Sequence, residues 1–77
     1  MNIDNIVKDI LDEVFEIKSN LNLSEYYPDN ISKWDSANHI KMCLRLESKF
    51  NITFENDELE TLVNIKIISN TIRSHLE

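Results

Sequence analysis

The sequence predicts an all-α domain, built from three principal helices and one short one, with a long loop between the first and second. Three observations carry this. Apolar residues recur at three- and four-residue intervals in separate stretches of the 77-residue chain, the signature of helices with one buried stripe. The chain has no Gly and one Pro, which disfavours tight hairpins, whose turns lean on residues that accept positive φ. Its single Cys excludes a disulfide framework within the chain, so a core this small must come from packed secondary structure.

The first helix is expected over residues 3–18. Ile3, Ile6, Val7, Ile10, Leu11, Val14 and Ile17 supply the stripe, while Asp9, Asp12, Glu13 and Glu16 fill the polar side. Asn2 stands where an N-cap belongs, and Asp4 lies in the first turn, where a carboxylate complements the helix dipole. Residues 19–35 lack a sustained period and hold the only Pro. Tyr27 precedes that Pro and is biased away from helix, and Asp29, Asn30 and Ser32 are turn formers. This segment reads as a long loop pinned to the core by Leu21, Leu23, Tyr26, Ile31 and Trp34, and loops of such length are often functional.

The second helix is expected from Ser36 to about Phe50. At about 100° per residue, Asn38, Lys41, Arg45, Ser48 and Lys49 share a polar arc. Met42, Cys43, Leu46 and Phe50 face the core, and Ala37, Ile40 and Leu44 form a separate apolar flank. That flank can pack on a neighbour or face a partner. After it, Asn56 reads as the N-cap of a one- to two-turn helix within the acidic run Glu55–Glu60, a run that is by default a solvated face. Asn64 reads as the cap of a last helix with Ile65, Ile68, Ile72 and Leu76 on its inner face and Arg73 near its favourable C-terminal end. There is no internal repeat, and residues 1–77 read as one domain.

Composition narrows the function. Eight Lys and Arg against 14 Asp and Glu leave a net charge of −6, opposite to what phosphate neutralisation requires, so DNA and RNA binding are disfavoured. Two His and one Cys are too few for a closed zinc site. No apolar run approaches a membrane span, and the start MNIDNIVKD lacks a basic segment followed by an apolar one. The chain is expected to be soluble, cytoplasmic and monomeric.

The stretch WDSANHIKMCLRLESKFNITF resembles the phosphopantetheine attachment segment of acyl carrier proteins, in which an Asp-Ser pair opens the second helix after a long loop. The correspondence runs on without gaps through ELETL and NIKIISNTI, and with the first helix it covers nearly the whole chain. Asp-Ser alone is a weak motif, but its place in a four-element helical chain of this length makes it specific. The resemblance implies a small four-helix bundle of acyl-carrier type. It further implies that Ser36 carries 4′-phosphopantetheine, whose thiol holds an acyl or aminoacyl group as a thioester. A phosphopantetheinyl transferase would supply magnesium and coenzyme A, with Asp35 supporting the transfer. An acyl- or aminoacyl-loading enzyme and a downstream transferase would complete the partners. Asp35 has a plain structural reading as helix N-cap beside this role, and Ser36 alone also reads as a simple N-cap.

Ala37 stands where the family usually has Leu, and Asn38 and Lys41 stand at two positions usually acidic in fatty-acid carriers. The segment 36–50 holds three cations (Lys41, Arg45, Lys49) and one acid (Glu47), a net of +2, between strongly acidic flanks. The expected partner surface is therefore Ala37, Ile40, Lys41, Leu44 and Arg45, fitting enzymes of a dedicated pathway better than those of fatty-acid synthesis. The Trp-Asp-Ser-x-x-His wording looks more like such specialised, stand-alone carriers. The alternative is a helical adaptor of the same fold without the prosthetic group. A Ser36–His39 hydrolase is disfavoured by the absence of a Gly for a nucleophile elbow and of a loop for an oxyanion hole. Among the remaining singular residues, His39 reads as partly buried or partner-facing, His75 as part of a fraying C-terminus, and Cys43 as a small buried hydrophobe. Trp34 reads as packing the loop onto helix ends or as a docking aromatic.

Overall fold

A computed structural model describes residues 2–77. It contains four α-helices, α1 (Ile3–Val14), α2 (Ser36–Phe50), α3 (Asn56–Leu59) and α4 (Ile65–Leu76), and no strand among the described residues. Helix α1 packs against both α2 and α4. The core between them is one cluster built from Val7, Leu11 and Val14 of α1, Met42, Leu46 and Phe50 of α2, and Ile65, Ile68 and Ile72 of α4. Phe15, Tyr26, Ile31, Trp34, Phe54 and Leu62 complete it from the connections.

Three helices start as the sequence predicts. Asn2 Oδ1 accepts the Asn5 N–H at 3.2 Å, Asp35 Oδ1 that of Asn38 at 2.8 Å, and Asn64 Oδ1 that of Ile67 at 2.8 Å; each satisfies one of the donors a helix start leaves open. Ser36 is thus not the cap but the first helical residue. The short helix begins differently from expectation: Glu55 is its cap residue and Asn56 its first helical residue. The Glu58 carboxylate reaches back to the Glu55 N–H at 2.8 Å, half of a capping box that Asn56 cannot make.

Helix α1 stops at Val14, four residues short of the expected end. Glu16 turns to φ 54°, and the Ile17 N–H returns to the Asp12 carbonyl at 2.9 Å while the Glu16 N–H reaches Glu13 at 3.4 Å. This is a Schellman-type ending, which lets Ile17 still pack on the core and so mimics continued helical periodicity in the sequence. Asn51 ends α2 likewise at φ 54°, with the Ile52 N–H on the Glu47 carbonyl at 3.1 Å. In a chain without Gly, Asn is the natural occupant of this left-handed site, and Glu16 bears a cost of roughly 1 kcal/mol.

The loop 19–35 holds two 3-10 turns, Leu23–Glu25 and Pro28–Asn30. Tyr26, Ile31 and Trp34 are buried and Leu21 packs against the core as expected, but Leu23 is exposed on its turn and anchors nothing. Tyr26 is fully buried, and its hydroxyl donates to Asp12, which is paired to Lys8 at 3.0 Å. Burial foremost, then the bond to Asp12, pushes the Tyr26 phenol up to about 12. His75 does not fray: it is half-buried, its Nε2 lies 2.7 Å from the Glu58 carboxylate, and its ring meets Phe54 edge-on at 5.8 Å. Together with the bond to the Glu55 N–H, this holds the Glu58 carboxyl below its usual range.

Leu46→Ala or Phe50→Ala is expected to cost on the order of 2–5 kcal/mol through lost burial and cavity formation, read as a lowered denaturation midpoint; unchanged midpoints in both would misplace the core. Tyr26→Phe is expected to cost about 1–3 kcal/mol at neutral pH by leaving Asp12 Oδ1 without its donor. Because the phenol of the folded protein lies above its ordinary value of 10, its contribution is complete below pH 10 and is lost as pH rises toward 12. Wild type should therefore lose stability more steeply than Tyr26→Phe in alkaline denaturation, and parallel curves would contradict this.

Candidate functional site

The loop ends in a tight approach to α2. Trp34 lies against Phe15 with ring centroids 4.6 Å apart and planes 21° from parallel, and its backbone N–H donates to the Ile31 carbonyl at 3.0 Å. The Asp35 N–H bonds the Lys33 carbonyl at 3.0 Å, and the Asn38 side-chain amide closes on that same carbonyl at 2.8 Å. The chain thus enters α2 with extended backbone at Asp35 (φ −105°, ψ −179°), and Ser36 is presented on the surface with its hydroxyl open to solvent.

At the start of α2 the Asn38 N–H is satisfied by Asp35 Oδ1 and the His39 N–H by the Asp35 carbonyl at 2.8 Å. The N–H groups of Ser36 and Ala37 have no acceptor among the described residues. Two open donors at the positive end of a 15-residue helix favour an anion attached to the serine oxygen. Ser36 also borders an open cleft between the loop and α3, with Pro28, Trp34, His39, Ile40 and Leu59 among its walls. A phosphodiester chain attached at Ser36 would find both charge complementarity and an apolar surface beside it. The donor set suits a group attached at this hydroxyl.

The expected partner residues divide in space. Ile40 and Leu44 are 61% and 60% exposed, and Ala37 is exposed on the same flank, which covers no part of the core. Lys41 is exposed and has no carboxylate within ion-pair distance among the described residues. Arg45 turns toward α1 and pairs with Glu13, so it faces the α1–α2 groove shared with Lys49. Cys43 is buried, and burial pushes its thiol up to about 11, with the Glu47 carboxylate adding to the shift; it stays a thiol at neutral pH.

One feature of the site was not legible as such in the sequence. The Trp34 indole Nε1–H donates to His39 Nδ1 at 2.9 Å, and His39 Nε2 lies 2.7 Å from the Leu59 carbonyl oxygen. The five-residue spacing of Trp34 and His39 was the available hint, but Leu59 is 20 residues further on and only tertiary packing supplies it.

No family model matches the sequence, and no curated protein matches it. Among solved structures, the chain is similar to a holo acyl carrier protein from Geobacter metallireducens determined by solution NMR. The two share 26% identity and superpose with a TM-score of 0.84 over 99% of this chain and 87% of that one. The likeness spans the chain, and with the Asp35–Ser36 pair opening its second helix this protein has the fold of an acyl carrier protein.

Proposed function

We propose that Ser36 is the attachment point of a 4′-phosphopantetheine arm, and that the protein shuttles an acyl or aminoacyl thioester between the enzymes of a dedicated biosynthetic pathway. The observation that carries this reading is the exposed Ser36 hydroxyl at the first helical position, beside two open backbone donors. The holo state of the similar Geobacter protein supports a prosthetic group in this chain as well. The arm, when attached, supplies a thiol that holds the cargo. The chain's own residues present the hydroxyl, cap the helix and offer donors to the phosphate. Transfer joins Ser36 Oγ to the phosphorus of the pantetheine phosphate as the pyrophosphate bond of coenzyme A breaks. 3′,5′-ADP leaves and the serine proton is released. Asp35 has one carboxylate oxygen on the Asn38 N–H and the other left to support that transfer.

Partner choice is assigned to the flank of Ala37, Ile40 and Leu44 with Lys41 at its edge. The arm is common to all carriers and brings no selectivity, so the surface around Ser36 has to discriminate. A lysine without an ion pair among the described residues, next to exposed aliphatics, suits a ligase or transferase with an apolar patch and a compensating acid. Arg45, already paired with Glu13, contributes less than Lys41.

Incubation with coenzyme A and a broad-range phosphopantetheinyl transferase is expected to add one phosphopantetheine to the wild-type mass. Ser36→Ala should abolish the gain while leaving the fold intact by circular dichroism. A gain that persists in the variant refutes the site, and a wild type that stays unmodified favours a helical adaptor. Lys41→Glu in the holo protein should raise the rate of malonyl loading by a fatty-acid malonyl transferase about three- to tenfold, most clearly at low salt, since charge complementarity acts on encounter. Equal rates would remove Lys41 from partner selection.

A further inference from the structure

His39 makes two bonds that together dictate its chemical state. An indole nitrogen can only donate, so His39 Nδ1, 2.9 Å from Trp34 Nε1, must be bare. A carbonyl oxygen can only accept, so Nε2, 2.7 Å from the Leu59 oxygen, must carry the proton. The neutral Nε2–H tautomer alone satisfies both. The imidazole thereby ties the end of the loop, the first turn of α2 and the last residue of α3 into one connection, and all three elements wall the cleft beside Ser36.

We propose that His39 is a positioning residue, a latch that works only when uncharged and that holds α3 in place as the far wall of the cleft at Ser36. A four-residue helix has little cohesion of its own, and Leu59 is only partly buried. The bond to the Leu59 carbonyl is the polar contact that fixes the end of α3 to α2. A proton on Nδ1 would set two donors against each other at 2.9 Å. Trp34 is the less free of the pair, being buried and stacked on Phe15 at 4.6 Å, so the half-buried imidazole is the group that swings. A rigid ring that turns from Trp34 also withdraws Nε2 from Leu59.

Charged groups come near the ring from each element packed against it. Asp35 from the start of α2 and Glu60 from the end of α3 line the same cleft. Lys33 on the loop is paired with Glu16 at 3.6 Å, and Glu58 on α3 is engaged by His75. His75 responds in the opposite sense, since its protonation strengthens the contact with Glu58 and steadies α3. Any loosening of α3 as pH falls is therefore opposed by His75 and has to come from elsewhere.

A glutamine at this position separates the latch from mere packing, because its amide oxygen accepts from Trp34 and its NH2 donates to Leu59 without titrating. The protein has one Trp, so its indole N–H gives a single cross-peak in a 15N-labelled sample. Apo protein is used, so this outcome does not depend on arm attachment, whereas the bearing of the latch on cargo rests on the carrier reading tested above. Between pH 8 and about 5, where imidazoles titrate, the wild-type indole resonance should shift together with the His39 ring nitrogens. Protection factors of the Leu59 and Thr61 amides should fall on the order of tenfold over that range, the loss of one such bond. In His39→Gln the indole resonance should stay constant and the protection should not fall as pH drops, since His75 remains to steady α3, and in His39→Ala protection should be low throughout. A His39→Gln protein that follows pH as wild type does, or a wild type whose α3 protection ignores the His39 titration, overturns the proposal.

Discussion

The presentation of Ser36 depends on how the loop of residues 19–35 is held down. A loop of this length has no ladder of its own, and its ordering cost must be offset by side chains that leave water. Two aromatics do this. Tyr26 is sunk to full burial with its hydroxyl on Asp12, and Trp34 lies flat on Phe15 where α1 has just ended. The first fixes the middle of the loop to α1. The second fixes its end one residue before the helix cap, so that Asp35 and Ser36 have no freedom to choose where α2 begins.

Helix α2 then serves two surfaces at once. Met42, Leu46 and Phe50 enter the core, while Ile40 and Leu44 stand out in solvent, more than half exposed. A 15-residue helix that buries a single stripe has room for a second function on its outer side. Exposed aliphatics beside a lysine that has no ion pair among the described residues are costly to keep unless something covers them, and they adjoin Ser36. Arg45 shows why a charge map along the sequence is not the same as a charge map of the surface: its charge is spent on Glu13 across the α1–α2 groove.

Much of this protein was determined by its sequence alone. The four helices, their caps at Asn2, Asp35 and Asn64, the inner residues of α2 and the Asp35–Ser36 signature all follow from local spacing and side-chain chemistry. A helix start is decided within three residues and an amphipathic stripe within two turns. Only the tertiary structure decided the rest. That α1 stops at Val14 depends on Glu16 accepting a left-handed backbone so that Ile17 can still reach the core. That His75 is anchored depends on Glu58, 17 residues away, and that Leu23 fails as an anchor depends on which side of a 3-10 turn faces the bundle. The state of His39 is set from two directions, by an indole five residues before it and a carbonyl 20 residues after it. Such contacts join groups far apart in the chain, and their geometry exists only once the core has brought the helices together.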